Sequence, residues 1–174
     1  SIMKLRIEII IVFLSFIALT SFAQKYDVAK SDEVIAEFKK VDPDIARLFT
    51  SAFGYAILPS VGKGAAGLGG ASGRGTLYKQ RTAMADVNMT QITVGFQLGG
   101  QSYSEVIFFE DSVVYSRFVE KNFEFAAQVS AVALTAGASA DAPYQDNVLI
   151  FTMAKGGLMY EASVGGQKFK VIPY

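Results

Sequence analysis

Residues 54–75, GYAILPSVGKGAAGLGGASGRG, are the stretch of this sequence that decides the predicted fold. The apolar run 55–58 is typical of a short strand, and Pro59 closes it. Seven glycines mixed with small residues follow between Gly62 and Gly75, a composition that disfavours a helix. The chain beyond Gly54 is therefore predicted to be mainly β.

Two short amphipathic helices are predicted before this stretch. Ser31 can be the N-cap of the first helix. The apolar residues that follow it recur at helical spacing up to Val41. Asp42 and Pro43 begin the second, as its N-cap and its first helical residue, and Gly54 ends it.

The sequence pattern of the remainder of the chain predicts mainly strands that are joined by short turns. Residues 87–98 and 102–109 are expected to form a hairpin at Gly99-Gly100, and residues 111–121 are expected to form a helix. Residues 123–138 favour a strand, although their alanines also suit a helix. Further strands are expected at residues 148–153, 158–164 and 169–172, which form two hairpins. The predicted fold class is α+β, with N-terminal amphipathic helices packed on a Gly-rich, mainly antiparallel, curved and barrel-like sheet.

The first residues have the pattern of an export signal. Lys4 and Arg6 precede the apolar run 9–19, and Ser21 and Ala23 are small residues at the −3 and −1 positions of a cleavage site. The run is short for a transmembrane span, although an uncleaved anchor is the alternative. We therefore expect a signal peptide over residues 1–23 and a single domain over residues 24–174, exported to the periplasm, the outer-membrane periphery or the medium.

The composition excludes several classes of protein. A hydrophobic content of 51% is incompatible with intrinsic disorder. With 16 basic and 16 acidic residues, the chain lacks the basic excess of a nucleic-acid binder. It contains no His and no Cys, so the common zinc, iron–sulfur and haem ligand sets, a His general base and a Cys lipid anchor are all excluded. We expect neither a cofactor nor an enzyme activity.

A run of basic residues is the best candidate site in the sequence. No acidic residue occurs between Asp44 and Asp86, whereas that stretch carries Lys63, Arg74, Lys79 and Arg81 after the earlier Arg47. Together with glycines that expose backbone N–H groups, these side chains can hold an anionic head group. The alternative is that they lie scattered over separate solvated faces.

Two other patterns are weaker. Residues 62–67 match the dinucleotide-binding pattern G-x-G-x-x-G, but glycines continue where that site needs a helix. The acidic sets Glu105, Glu110, Asp111 and Asp141, Asp146 have the oxygen ligands of a cation site without its usual spacing, so ordinary surface acids are favoured.

Four ordered blocks of sequence resemble the SYLF domain family, in its bacterial exported branch. They are residues 54–64, GYAILPSVGKG; 69–75, GGASGRG; 90–105, TQITVGFQLGGQSYSE; and 155–169, which contain KGGLMYEA and VGGQKF. The resemblance implies a non-enzymatic module that binds anionic phospholipid or fatty acid at a membrane surface. The actin-linked role of eukaryotic relatives is not expected of an exported protein.

The resulting interpretation is an envelope lipid-binding protein that uses Lys63, Arg74, Lys79 and Arg81. Phe38, Phe49 and Phe53 either contact the membrane or, as we favour, pack their helices onto the sheet. The alternative is a small outer-membrane β-barrel or a structural protein of the envelope, for which the export signal and the several β segments speak.

Overall fold

A computed structural model describes residues 28–63, 70–92, 102–120, 122–155 and 162–174. Its helices are α1 (28–41), a 3-10 turn (Pro43–Ile45), α2 (Ala46–Ser51) and α3 (Ser112–Val119). Its strands are β1 (Gly54–Lys63), β2 (Gly70–Lys79), β3 (Thr82–Ile92), β4 (Tyr103–Phe109), β5 (Phe123–Glu124), β6 (Ser130–Ala133), β7 (Val148–Ala154), β8 (Ala162–Ser163) and β9 (Gln167–Pro173). The expected export signal lies outside the described residues.

The strands form one sheet in the order β5-β9-β3-β2-β1-β4-β7-β6-β8. Every pairing is antiparallel except that of β6 with β7. The sheet curls on itself. The curl is evident from the hydrogen bond between Gln167 of β9 and Glu105 of β4, since three strands separate β9 from β4 in the sheet. The predicted α+β class with a curved antiparallel sheet is confirmed.

Each face of the sheet carries its own apolar core, as the two-residue alternation of a strand requires. The concave face packs Leu58, Val87, Ile107 and Phe109 around Phe118 of α3. Part of the convex face is covered by the N-terminal helices. Phe38 and Phe49 are buried there, with 0% and 2% of their surface exposed, in the cluster that contains Tyr55 and Phe108. The N-terminal helices therefore pack against the convex side of β1 and β4.

Two helix predictions are confirmed, and one detail is wrong. Asp42 caps the 3-10 turn that leads into α2, and Asp111 caps α3 through the backbone N–H groups of Val113 and Val114. Ser31, however, lies within α1 rather than at its start, and its buried hydroxyl donates to Thr76 Oγ1 over 2.9 Å. The polar side chain that suggested a cap instead fastens the helix to β2.

The predicted hairpins are wrong, because among the described residues the strands expected to form them pair with other strands. β3 pairs with β2 and β9, whereas β4 pairs with β1 and β7. The C-terminal strands likewise pair with distant partners, β9 with β3 and β8 with β6. Residues 123–138 form only the short strands β5 and β6. Glycine pairs indicate where a chain can turn, but side-chain packing selects the neighbouring strand.

A buried carboxylate joins the helices to a distant loop. Asp42 is fully buried, and its oxygens accept hydrogen bonds from the backbone N–H groups of Asp44, Gly137 and Ser139, at 3.2, 3.2 and 2.8 Å. Burial alone raises the pKa of Asp42, but the hydrogen bonds from Ser139, Gly137 and Asp44 outweigh it, so the pKa lies below its ordinary value of 3.8. Arg47 holds the same loop by donating to the carbonyls of Ser139 and Ala140.

We predict that Asp42→Asn lowers the free energy of unfolding by about 1–3 kcal/mol, because one buried N–H group loses its acceptor. A carboxylate whose pKa is lowered by folding stabilises the fold above the unfolded-state pKa. Its contribution is therefore lost as the pH falls below 3.8. Denaturant unfolding at several pH values measures both effects. Asp44→Asn, at an exposed neighbour, is the control and should change little; equal losses in both variants would contradict this role of Asp42.

The central pair of strands approaches unusually closely at Gly75. A Cβ atom on Gly75 would overlap the carbonyl oxygen of Ile57. The β1 register shifts between Ile57 and Ser60, around Pro59, and the Pro59 carbonyl accepts a hydrogen bond from Ser104 Oγ of β4 over 2.9 Å. The irregularity is therefore held from both neighbouring strands.

We predict that Gly75→Ala destabilises the protein by about 3 kcal/mol or more, since backbone must move to admit the methyl group. Gly62→Ala is the matched control on β1. A Cβ there would lie 3.4 Å from Ser102 Cβ, an ordinary contact, so the change should stay within about 0.5 kcal/mol. Thermal unfolding of the two variants distinguishes them, and similar midpoints would refute the close approach.

Candidate functional site

The convex side of β2, β3 and β9 carries a group of polar and basic side chains, which we call the basic sheet face. Its members are Ser72, Arg74, Asn88, Thr90, Lys168 and Lys170. One row of directly paired residues runs Arg74–Asn88–Lys170, and the next runs Ser72–Thr90–Lys168. Because neighbouring strands lie about 4.8 Å apart, the Arg74 and Lys170 backbones are about 10 Å apart across Asn88.

Strand alternation explains why these side chains share one face. Along β9, Gln167 and Phe169 are buried while Lys168 and Lys170 are exposed. Along β2, Ala71, Gly73 and Gly75 are buried while Ser72 and Arg74 are exposed. The inward residues belong to the concave core, so the polar ones project from the opposite side.

A recess and an apolar tip adjoin the basic sheet face. The recess has a volume of about 470 Å³ and is lined by Asn88, Thr90, Asn122, Glu124, Lys168, Phe169 and Lys170. Lys168 Nζ lies 3.7 Å from Glu124 Oε2, an exposed pair of small energetic weight. Ile92 ends β3 and is 81% exposed, two residues beyond Thr90. The face thus combines cations and hydroxyl groups with exposed apolar side chains, Ile92 on β3 and Ile172 on β9.

The four basic residues predicted from sequence are spread from the end of β1, along β2, to the turn before β3. Lys63 ends β1 and pairs with Ala71, at one end of β2. Lys79 and Arg81 lie at the other end, where Lys79 Nζ is 5.4 Å from the centre of the Phe53 ring. Arg74 lies between them, about 17 Å along the strand from Lys79. Of the four, Arg74 is the residue that joins the basic sheet face.

The other sequence candidates have structural roles or lie elsewhere. Phe38 and Phe49 pack the helices onto the sheet, which confirms the packing interpretation for them. Of the G-x-G-x-x-G stretch, Gly62 and Lys63 belong to β1 and residues 64–67 lie outside the described residues. Glu105 is buried inside the protein, whereas Glu110 is exposed at the surface. Across the residues that the structure describes, no three acidic side chains are arranged to hold a metal ion.

Sequence reasoning missed Lys168 and Lys170. The alternation in QKFKV, residues 167–171, is the signal that places both lysines on one strand face. Their proximity to Arg74 is carried by the pairing of β9 with β3, more than seventy residues earlier in the chain. No local pattern reports such a pairing.

The concave side of the sheet contains a second polar group, which we call the interior polar cluster: Gln91, Tyr103, Glu105, Thr152 and Gln167. All five are buried. Gln167 Nε2 donates to Glu105 Oε2 over 2.9 Å and lies 3.5 Å from the Tyr103 hydroxyl. Burial raises the pKa of Glu105 to about 7, although the hydrogen bond from Gln167 opposes the shift. Burial, with the nearby Glu105, also raises the pKa of Tyr103.

A groove of about 300 Å³ opens between α3, β7 and the segment that carries β5 and β6. Its apolar lining includes Val114, Phe125 and Ile150, which belong to the concave core. Arg117 and Glu124 are among its charged lining residues. The groove therefore leads from the surface to the apolar interior.

A family model and a curated relative match parts of this chain. Residues 90–171 match the Ysc84 family, described as Las17-binding protein actin regulator. This match to the Ysc84 (SYLF) family model confirms the family resemblance seen in the sequence over residues 90–171. The match includes β9 with Lys168 and Lys170.

A curated bacterial relative extends the similarity beyond that segment. Beta cell expansion factor A of Aeromonas veronii is 27% identical over 140 residues, which are 80% of this chain and 53% of that protein. The chain thus spans about half the length of this relative. Within the described ranges, no helix is both long and apolar enough to cross a membrane.

Proposed function

We propose that this protein is a non-enzymatic lipid-binding protein of the bacterial cell envelope, which binds anionic phospholipid at a membrane surface through the basic sheet face. The observation that carries the proposal is the paired row Arg74–Asn88–Lys170 beside Ser72–Thr90–Lys168. A phosphate group requires cations and hydrogen-bond donors on one surface, and these two rows supply both.

The surroundings of the face favour a membrane over a free phosphate. The exposed Ile92 lies at the end of the strand that carries Asn88 and Thr90. An apolar side chain beside several cations is the combination that peripheral proteins use at an anionic bilayer. The export signal expected in residues 1–23 supports an envelope location, in the periplasm, at the outer-membrane periphery or after secretion.

The family description supports a binding role and leaves the ligand open. The family is described as an actin regulator. Because we expect this chain to be exported, we propose the lipid-facing role for it and not the actin-linked one. The absence of His and Cys from the sequence supports a protein without enzyme activity.

Neutralising the basic sheet face should weaken binding to vesicles that contain anionic phospholipid. Each cation near such a surface contributes about 1 kcal/mol, so Arg74→Gln/Lys170→Gln should weaken binding about 30-fold. Sedimentation with zwitterionic vesicles, with and without phosphatidylglycerol, measures it. The protein should lack residues 1–23, since that apolar segment binds membranes by itself. Added salt should weaken wild-type binding further.

The matched control is Lys79→Gln/Arg81→Gln, which removes the same charge at the far end of β2. This control should change binding much less than the pair in the basic sheet face. A loss confined to Lys79→Gln/Arg81→Gln would assign binding to that turn instead. Equal binding by all three proteins would exclude both surfaces.

Fatty acid is the second candidate ligand, because the groove beside α3 offers about 300 Å³ with access to the apolar core. An acyl chain can lie along Val114 and Ile150, and Arg117 can pair with its carboxylate at the rim. Titration with a fatty acid below its micelle concentration tests this site. Arg117→Gln should weaken the binding severalfold, while Arg74→Gln/Lys170→Gln should leave it unchanged; the reverse ranking would reject the groove.

A further inference from the structure

The interior polar cluster contains buried oxygens that have no hydrogen-bond partner. Four of its oxygens are buried and have no hydrogen-bond partner: Gln91 Oε1, Glu105 Oε1, Thr152 Oγ1 and Gln167 Oε1. They come from four strands, β3, β4, β7 and β9. A single unpaired buried acceptor is unfavourable, and four at one place indicate a group that they hold in common.

The strand register places the four residues in two directly opposite pairs. Glu105 is paired directly with Thr152, and Gln91 is paired directly with Gln167. The 2.9 Å hydrogen bond from Gln167 Nε2 to Glu105 Oε2 then joins the two pairs across the curled sheet. Directly opposite residues have Cβ atoms about 5 Å apart, so a small central group can touch all four side chains.

The amide orientations follow from the hydrogen bonds on the nitrogen side. Gln91 Nε2 donates to the carbonyls of Ser163 and Gly165, each at 3.1 Å. Gln167 Nε2 donates to Glu105. In both residues the nitrogen is therefore already used, and the oxygen is the atom that remains. The common group must accordingly be one that oxygens bind.

Charge balance selects the kind of group. Glu105 is fully buried, and no Lys or Arg side chain among the described residues is buried with it. A monovalent cation would neutralise one carboxylate, whereas a divalent cation would leave a net buried charge at high cost. Carboxylate, amide and hydroxyl oxygens are ligands that hard cations prefer.

We propose that Glu105, Thr152, Gln91 and Gln167 bind an alkali cation, sodium or potassium, inside the curled sheet. The ion joins β3 and β9 to β4 and β7, which are separated in the order of the sheet. The site is independent of the basic sheet face, which lies on the opposite side of β3 and β9. It acts on the stability of the fold and requires no lipid.

The test is thermal unfolding of the purified protein in sodium, potassium and choline chloride at about 0.1 M, so that surface screening is equal. The buffer is held at about pH 8, above the ordinary pKa of a glutamate. At about ten times the dissociation constant, an alkali cation should raise the midpoint by about 3–6 °C relative to choline. The shift should saturate with concentration.

Two variants assign the effect to the cluster. Glu105→Gln keeps the shape and removes the charge, so the difference between alkali and choline salts should disappear. Thr152→Val removes a single ligand and should reduce the difference, which keeps the test decisive if Glu105→Gln folds poorly. Glu110→Gln, at an exposed acid nearby in the chain, should retain the full difference.

Equal midpoints in all three salts would overturn the proposal and assign the four oxygens to water or to a proton on Glu105. A cation effect that persists in both Glu105→Gln and Thr152→Val would overturn it as well, because the ion would then bind elsewhere. Rubidium-soaked crystals provide the direct view: an anomalous peak within bonding distance of Glu105 supports the site, and its absence opposes it.

Discussion

The close approach of β1 and β2 at Gly75 is the constraint on which the rest of the sheet depends. These strands lie at the centre of the strand order, and every other strand is added to one side of this pair or the other. The backbone of Ile57 lies where a Cβ of residue 75 would be. The irregularity of β1 around Pro59 comes directly after Ile57 in the chain. Beyond it, exposed and buried residues alternate again, with Ser60 exposed and Val61 buried. Gly75 is therefore required by the close packing of the two central strands.

The curl gives the sheet two faces with different chemistry. On the convex side the helices cover β1 and β4, fixed by Asp42 and by the bond between Ser31 and Thr76. The same side of β3 and β9 carries the cations and hydroxyl groups of the basic sheet face. On the concave side, apolar residues fill the interior except at the interior polar cluster. The helices therefore cover one part of the convex face, whereas the part formed by β2, β3 and β9 displays the polar and basic side chains of the basic sheet face.

Local sequence signals predicted the elements better than their partners. Capping by Asp42, the helix expected over residues 111–121 and the apolar stripes of the N-terminal helices are all short-range effects, and the structure bears them out. The hairpins failed because neighbouring strands were assumed to pair, whereas β4 lies beside β1 and β7. The residues of the candidate site show the same difference between local signals and strand pairing. Arg74 was found from its place in an acid-free stretch, but Lys168 and Lys170 join it only through the pairing of β9 with β3. Long-range pairing depends on which buried faces fit together, which a single sequence does not display.

The central claim is that an anionic head group binds on the basic sheet face. Its most direct measurement is the change in backbone amide NMR shifts when glycerol 3-phosphate, a soluble head-group fragment, is added to the protein. Binding at this face should produce shifts that saturate and are concentrated at Ser72, Arg74, Thr90, Lys168 and Lys170. Shifts concentrated around Lys79 and Arg81, or no saturable shifts on β2, β3 and β9, would contradict it.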